Sequence, residues 1–209
     1  MGLSELGIRD FLDELSSDSP APGGGSTAAF SGALASSLVG MVAKLTLSNE
    51  KYRSSWEVMG RVCKKAEDLS STFLHLLEED SLAFNTFMKA LKLPKETSEE
   101  KEIRRLMMQR ALKKAAEIPL ETLQMCDILS DLALEAVMKG NRNAITDAVT
   151  ATEMALSSGL AASYNVRINL SGIKDGEFVQ RASAEVERIL NSINGKVEKA
   201  RKKLEEELN

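Results

Sequence analysis

The chain has 209 residues, 43% hydrophobic and 28% charged, with four prolines and 4% aromatics. That length suits one domain with a substantial core, and Leu/Ala/Glu/Lys-rich stretches with few breakers predict an all-helical chain. A net charge of −4 excludes an overall basic bias toward nucleic acid, and the single histidine, His75, argues against a histidine metal site or a Ser-His-Asp triad.

A short first helix places Ile8, Phe11, Leu12 and Leu15 on one face. Met1 to Ser17 is amphipathic and carries Glu5, Asp10, Asp13 and Glu14, so it does not read as a signal peptide. Ser19-Pro20-Ala21-Pro22-Gly23-Gly24-Gly25-Ser26 then feeds a second helix, Gly25 to Leu47. A glycine-rich turn at a helix start leaves backbone N–H groups free at the positive end of the dipole, which suits an anionic group. A flexible linker is the plainer reading of the same glycines. Ala28 to Leu47 is the most apolar stretch; Lys44 and its Ser and Gly residues mark a buried core helix rather than a membrane span.

Ser54 with Glu57 reads as a capping box opening a third helix that runs to about Lys92. Leu93-Pro94-Lys95-Glu96 is a turn, and Thr97 with Glu100 makes a second capping box. The fourth helix runs to Lys139, with Pro119 predicted to kink or split it near Ile118 and Gly140 as its C-cap. Asn141-Arg142-Asn143 leads to a fifth helix, Ala144 to Leu170. A last amphipathic helix carries Val179, Ala182, Val186, Ile189, Ile193, Val197, Ala200, Leu204 and Leu208 at three- and four-residue steps. Its run from Lys196 to Glu207 alternates charge and reads as a solvated face. Cys63 and Cys126 sit in helical segments without metal-ligand spacing and read as buried free thiols of a reducing compartment. The second and fifth helices are rich in Ala, Gly and Ser, so they are predicted to pack closely at the centre. The third and fourth would then project as a long hairpin, whose apolar stripes ask for a partner copy.

Asp80 is the sharpest feature. It falls inside the third helix's apolar stripe, between Leu77 and Phe84. A carboxylate there must be paired, or carry a raised pKa that suits a general acid or base. Asp147 lies one turn into the fifth helix, where Asn143 as a cap and the helix dipole account for it. Asn165 and Asn169 continue that face; amides on a packed face need partners, which a heterocyclic ligand edge would supply. Lys95 reads as an exposed turn lysine, His75 as a surface or interface histidine, and Met107 and Met108 as core or interface filler.

Pro20-Ala21-Pro22-Gly23-Gly24-Gly25-Ser26, Asp80-x-x-Ala83-Phe84, Leu93-Pro94-Lys95, Gly140-Asn141-x-Asn143 with Asp147, and Asn165-Val166-x-Ile168-Asn169-Leu170 occur in this order. Over nearly the whole chain, 1–209 as a single domain, the set resembles the cyclodeaminase domain of formiminotransferase-cyclodeaminases and the bacterial methenyltetrahydrofolate cyclohydrolases, in a stand-alone form. Thr27 and Thr146 stand where such relatives often carry Val and Ser. The resemblance implies an all-helical bundle, a cytoplasmic homodimer or higher homo-oligomer, and a reduced folate bound near the subunit interface. It implies an ammonia-lyase type of enzyme of one-carbon metabolism and histidine degradation. The reaction would take 5-formiminotetrahydrofolate to 5,10-methenyltetrahydrofolate and ammonia, with the cyclohydrolase reaction as alternative and a non-catalytic helical scaffold as the rival of another class. Asp80 is the implied catalytic acid–base group. Gly23, Gly24, Gly25, Ser26 and Lys95 are candidates for the folate's carboxylates; Asn141, Asn143, Asp147, Asn165 and Asn169 are candidates for its pterin edge. No metal, no resident cofactor, no nucleic acid and no membrane partner is called for.

Overall fold

Six α-helices make up the protein in a computed structural model that describes residues 2–209. They are α1 (Ile8–Leu15), α2 (Gly24–Leu47), α3 (Trp56–Leu91), α4 (Ser98–Lys139), α5 (Ile145–Leu170) and α6 (Gly176–Leu208). Short 3-10 turns at Leu3–Glu5, Glu50–Ser55 and Arg142–Ala144 join them, and the described residues contain no strand. The all-helical expectation holds.

Helix α2 is the central element. Val39, Val42 and Ala43 are fully buried, and α3, α4 and α5 surround it. By length and composition it could cross a membrane, yet 56% of its most apolar window is packed inside the bundle. Its small residues let neighbours in. A β-carbon on Gly32 would strike the Phe73 ring of α3. On α5, Ser158 donates to the carbonyl of Ala28, 2.6 Å away, so α2 and α5 do meet at the centre. Gly159 instead serves α4 and α6, against Leu123, Cys126 and Ile193.

Helix α3 runs antiparallel to α2, from Trp56, whose indole donates to Thr46 O at the end of α2, to Asp80 beside its start. It then continues to Leu91, and α4 returns alongside it. Leu82, Ile103, Leu106 and Met107 of this hairpin are exposed. Helix α6 lies along α4, bridged by Lys113–Asp175 and by Lys196 with Asp127 and Asp131.

Several local expectations are corrected. The first helix buries Phe11, stacked obliquely on Phe30 at 5.0 Å, while Ile8 is 76% exposed and Leu12 53%. Ser54 opens no helix: it lies in the 3-10 turn, and Ser55 precedes α3 without a side-chain cap. The Thr97–Glu100 capping box is present, each side chain bonding the other's backbone N–H. Pro119 does not split α4, which is continuous. Gly140 ends α4 with extended backbone; a β-carbon there would strike Ala136 O and crowd Val42. Asn143 does not cap α5; Asn141 Oδ1 accepts from the Asn143 N–H and closes the 3-10 turn. Cys126 is fully buried, its thiol pushed up to about 12 by desolvation, but Cys63 is only half-buried beside Glu67. Lys196 is not on a solvated face: its side chain is 14% exposed and lies between two aspartates.

Candidate active site

Asp80 sits where α3 passes the first turn of α2. The Ser26 hydroxyl donates to Asp80 Oδ2 at 2.9 Å, and the Ser81 hydroxyl lies 3.1 Å from that of Ser26. The Thr27 N–H closes the first helical bond to Gly23 O, and the Ser26 amide turns to Asp80. The anion at this helix start is therefore the protein's own carboxylate, and Gly24 and Gly25 keep the remaining free N–H groups of the turn. Gly25 is a steric requirement. A β-carbon there would come within 3.0 Å of both carboxylate oxygens of Asp80. At Gly24 the same atom would be 3.3 Å from Asn165 Nδ2, so the end of α5 closes the third side.

No Lys, Arg or His among the described residues forms an ion pair with Asp80. Burial raises its carboxyl above the ordinary aspartate value, and the Ser26 hydroxyl and amide pull it part of the way back. A partly buried acid held by hydroxyl and amide donors, without a counter-cation, can both take and return a proton. Glu78 on the same helix behaves oppositely: it accepts from the Ser4 N–H and hydroxyl, and its pKa is lowered.

The other sequence-derived candidates separate into groups. Asn165 lies at the Asp80 pole, one amide hydrogen spent on Ala161 O. Asn169 is accounted for by the fold: Nδ2 donates to Asn165 O at 2.9 Å and to Ala115 O at 2.8 Å. Ala115 O is the carbonyl that Pro119, which has no N–H, leaves without its helical partner. Its amide hydrogens are thus spent holding α4 intact. Asn141, Asn143 and Asp147 lie at the opposite end of α2, where the Asn141 N–H donates to Thr46 Oγ1. From Gly25 to Thr46 the helix spans about 30 Å, so one chain does not bring these three to Asp80. Lys95 is exposed at the hairpin tip, beyond the end of α3. A groove of about 840 Å³ on the hairpin, between Lys89, Leu93, Met107 and Lys114, is not lined by Asp80. Sequence reasoning missed Ser81, although its place four residues after Leu77 puts it on the buried stripe.

Known proteins share this fold and sequence. The family model described as Formiminotransferase-cyclodeaminase matches residues 7–188. A methenyltetrahydrofolate cyclohydrolase of Methylorubrum extorquens is 39% identical over 183 residues, 88% of each chain. The formimidoyltransferase-cyclodeaminase of Mus musculus is 31% identical over 90% of this chain, which spans 35% of that longer protein. The crystal structure of a formiminotetrahydrofolate cyclodeaminase from Thermotoga maritima superposes with a TM-score of 0.89 at 28% identity, covering 99% of this chain and all of that one.

Proposed function

The chain belongs to the formiminotransferase-cyclodeaminase family, and from that premise we propose that Asp80 moves the proton at the one-carbon bridge of 5,10-methenyltetrahydrofolate. The observation that carries this reading is the carboxyl itself: partly buried, raised in pKa, given a hydroxyl donor and no cation. Of the family's two reactions, cyclohydrolysis is favoured by the 39% identity to a relative of similar length. Water attacks the bridging carbon and Asp80 takes one of its protons. The tetrahedral carbon then releases N5, which receives that proton, and the second proton of the water leaves as the formyl C=O forms on N10. Cyclodeamination is the second reading, supported by the full-length match to the Thermotoga structure. There N10 attacks the carbon of the protonated formimino group, Asp80 takes the N10 proton, and that proton turns the resulting amino group into the departing ammonia. Neither reaction changes an oxidation state, so neither calls for a redox partner. A side-by-side assay of purified protein with 5,10-methenyltetrahydrofolate and 5-formiminotetrahydrofolate tests the order. Turnover of neither overturns the enzymatic reading.

We further propose a homodimer. Leu34, Met41 and Leu45 on α2 and Tyr164 and Ile168 on α5 are exposed apolar residues on neighbouring helices, as expected of an association surface. A two-fold axis that pairs α2 antiparallel would bring Asp80 of one protomer toward the partner subunit's Asn141, Asn143 and Asp147. Light scattering should report a dimer at micromolar concentration. Mixing inactive Asp80→Asn and Asn143→Ala chains should restore part of the activity, whereas a fully active monomer would reject the arrangement.

A further inference from the structure

Among the described residues nine polar side chains are buried, all of them hydroxyls. Seven donate to a backbone carbonyl. Ser36, Thr46, Thr122 and Thr152 bond the carbonyl four residues back, Ser130 and Ser163 the one three back, and Ser158 that of Ala28. This is the usual outlet for a hydroxyl on a helix. Ser26 and Ser81 are the exceptions. They face each other, and Ser26 also meets Asp80.

The direction of that chain follows from counting protons. A serine hydroxyl has one hydrogen to give. Ser26 spends its hydrogen on Asp80 Oδ2, which is acceptor-only when ionised. At the 3.1 Å contact Ser26 is therefore the acceptor and Ser81 the donor. Two O–H dipoles in series polarise each other and strengthen the terminal bond. That order belongs to the ionised carboxylate, the form that accepts a proton. We propose that Ser81 and Ser26 form a hydroxyl relay that donates in series to Asp80 Oδ2 and so stabilises the ionised, proton-accepting form of the carboxyl. Both are positioning residues. The proposal rests on Asp80 being the acid–base group.

The charged groups on neighbouring elements stand outside this relay. Glu78 and Glu79 share α3, with Glu78 held by Ser4. Helix α2 carries no charge before Lys44. On α5, Arg167 pairs with Glu187; on α4, Lys113 pairs with Asp175, and Lys114 and Glu117 line the hairpin groove. None forms an ion pair with Asp80, and none is altered by changing a serine.

The test is a set of pH–rate profiles for the full-length protein on 5,10-methenyltetrahydrofolate. Asp80 must be ionised to accept the first proton, so activity falls on the acid side. Ser81→Ala should lower kcat about three- to tenfold, leave KM unchanged, and move the acid limb to higher pH, because a donor to the carboxylate has been weakened. Ser26→Ala should shift the limb the same way and further. Ser81→Cys fills the space with a weak donor and should behave like Ser81→Ala, while Ser81→Thr should restore the profile. An unmoved acid limb in a folded Ser81→Ala, or a Cys variant equal to wild type, overturns the relay. If the Ala variant does not fold, the Cys variant decides alone. Asp80→Asn runs in parallel. Its retaining near-normal turnover would remove the underlying reading, whereas its loss together with a silent Ser81→Ala removes the relay only.

Discussion

Asp80 and Lys196 are both ionisable side chains held at helix–helix contacts, and their surroundings differ in kind. Lys196 Nζ lies 2.6 Å from Asp127 Oδ1 and 2.8 Å from Asp131 Oδ2, with Asp127 O at 2.9 Å and Ser192 bonding the same Asp127 oxygen. Its charge is matched twice over, and the cluster ties α6 to α4. Asp80 meets hydroxyls, an amide and a glycine, with no cation among the described residues. A charge matched by opposite charges ties two helices together and serves the fold. An unpaired one of raised pKa stays free to change state, which is what proton transfer needs.

The largest expected effect follows from that difference. Asp80→Asn keeps the shape and still accepts from Ser26, but it cannot exchange a proton. Turnover should fall by about 10²–10⁴, while the melting temperature holds or rises as a buried carboxyl becomes neutral. A stable variant with near wild-type turnover would dissolve the contrast. Lys196→Met should do the reverse. It leaves Asp127 partly buried without its cation and should cost about 1.5–3 kcal/mol in urea unfolding, with normal turnover in the folded fraction. A Lys196→Met protein as stable as wild type but inactive would move function to the wrong cluster.

Asn169 refines the same distinction for neutral groups. Asn169→Ala strands Ala115 O and should cost about 1 kcal/mol. In a Pro119→Ala background a backbone N–H returns at position 119 and can close the helical bond, so the cost should shrink. The four proteins of this double-mutant cycle measure the coupling by denaturant unfolding. Strict additivity would mean that Asn169 is not there for the carbonyl.

Legibility in the sequence tracks the range of each interaction. Asp80 stood out because a carboxylate inside an apolar helical stripe is a local anomaly. The Thr97–Glu100 box was legible because both partners lie within one turn. The same pattern at Ser54 misled, since the Trp56 indole, anchored on Thr46 O, fixes where α3 begins. The tie of Asn169 to α4 was not legible because its partner carbonyl is 54 residues away on another helix. Which lysine of the Lys196–Glu207 run is buried depends on the face that α6 presents to α4, and alternating charge does not encode that. The roughly 30 Å between Asp80 and Asn141 came from helix direction, which a motif order does not carry.

The smallest effect is the pH dependence of stability contributed by Asp80. Burial raises its native pKa above the ordinary value of 3.8, where the unfolded chain titrates. Between those two values the native state holds the proton and the unfolded state has lost it. Native protein therefore binds more protons across that window, and stability falls as pH rises through it. The contribution is fully present below the ordinary value and gone above the raised one. Most other shifted carboxylates here, such as Asp175 beside Lys113 and Glu78 beside Ser4, are lowered and act in the opposite sense, gaining stability as pH rises. The total curve therefore hides Asp80, and a difference is needed to isolate it. Urea unfolding of wild type and Asp80→Asn across the acid range supplies one, because the other groups cancel. The Asn variant's advantage over wild type should grow with pH and then level off once native Asp80 is ionised. A constant difference would mean that Asp80 titrates alike folded and unfolded. An advantage that shrinks with rising pH would mean a cation holds it ionised, placing Asp80 in the same class as Lys196.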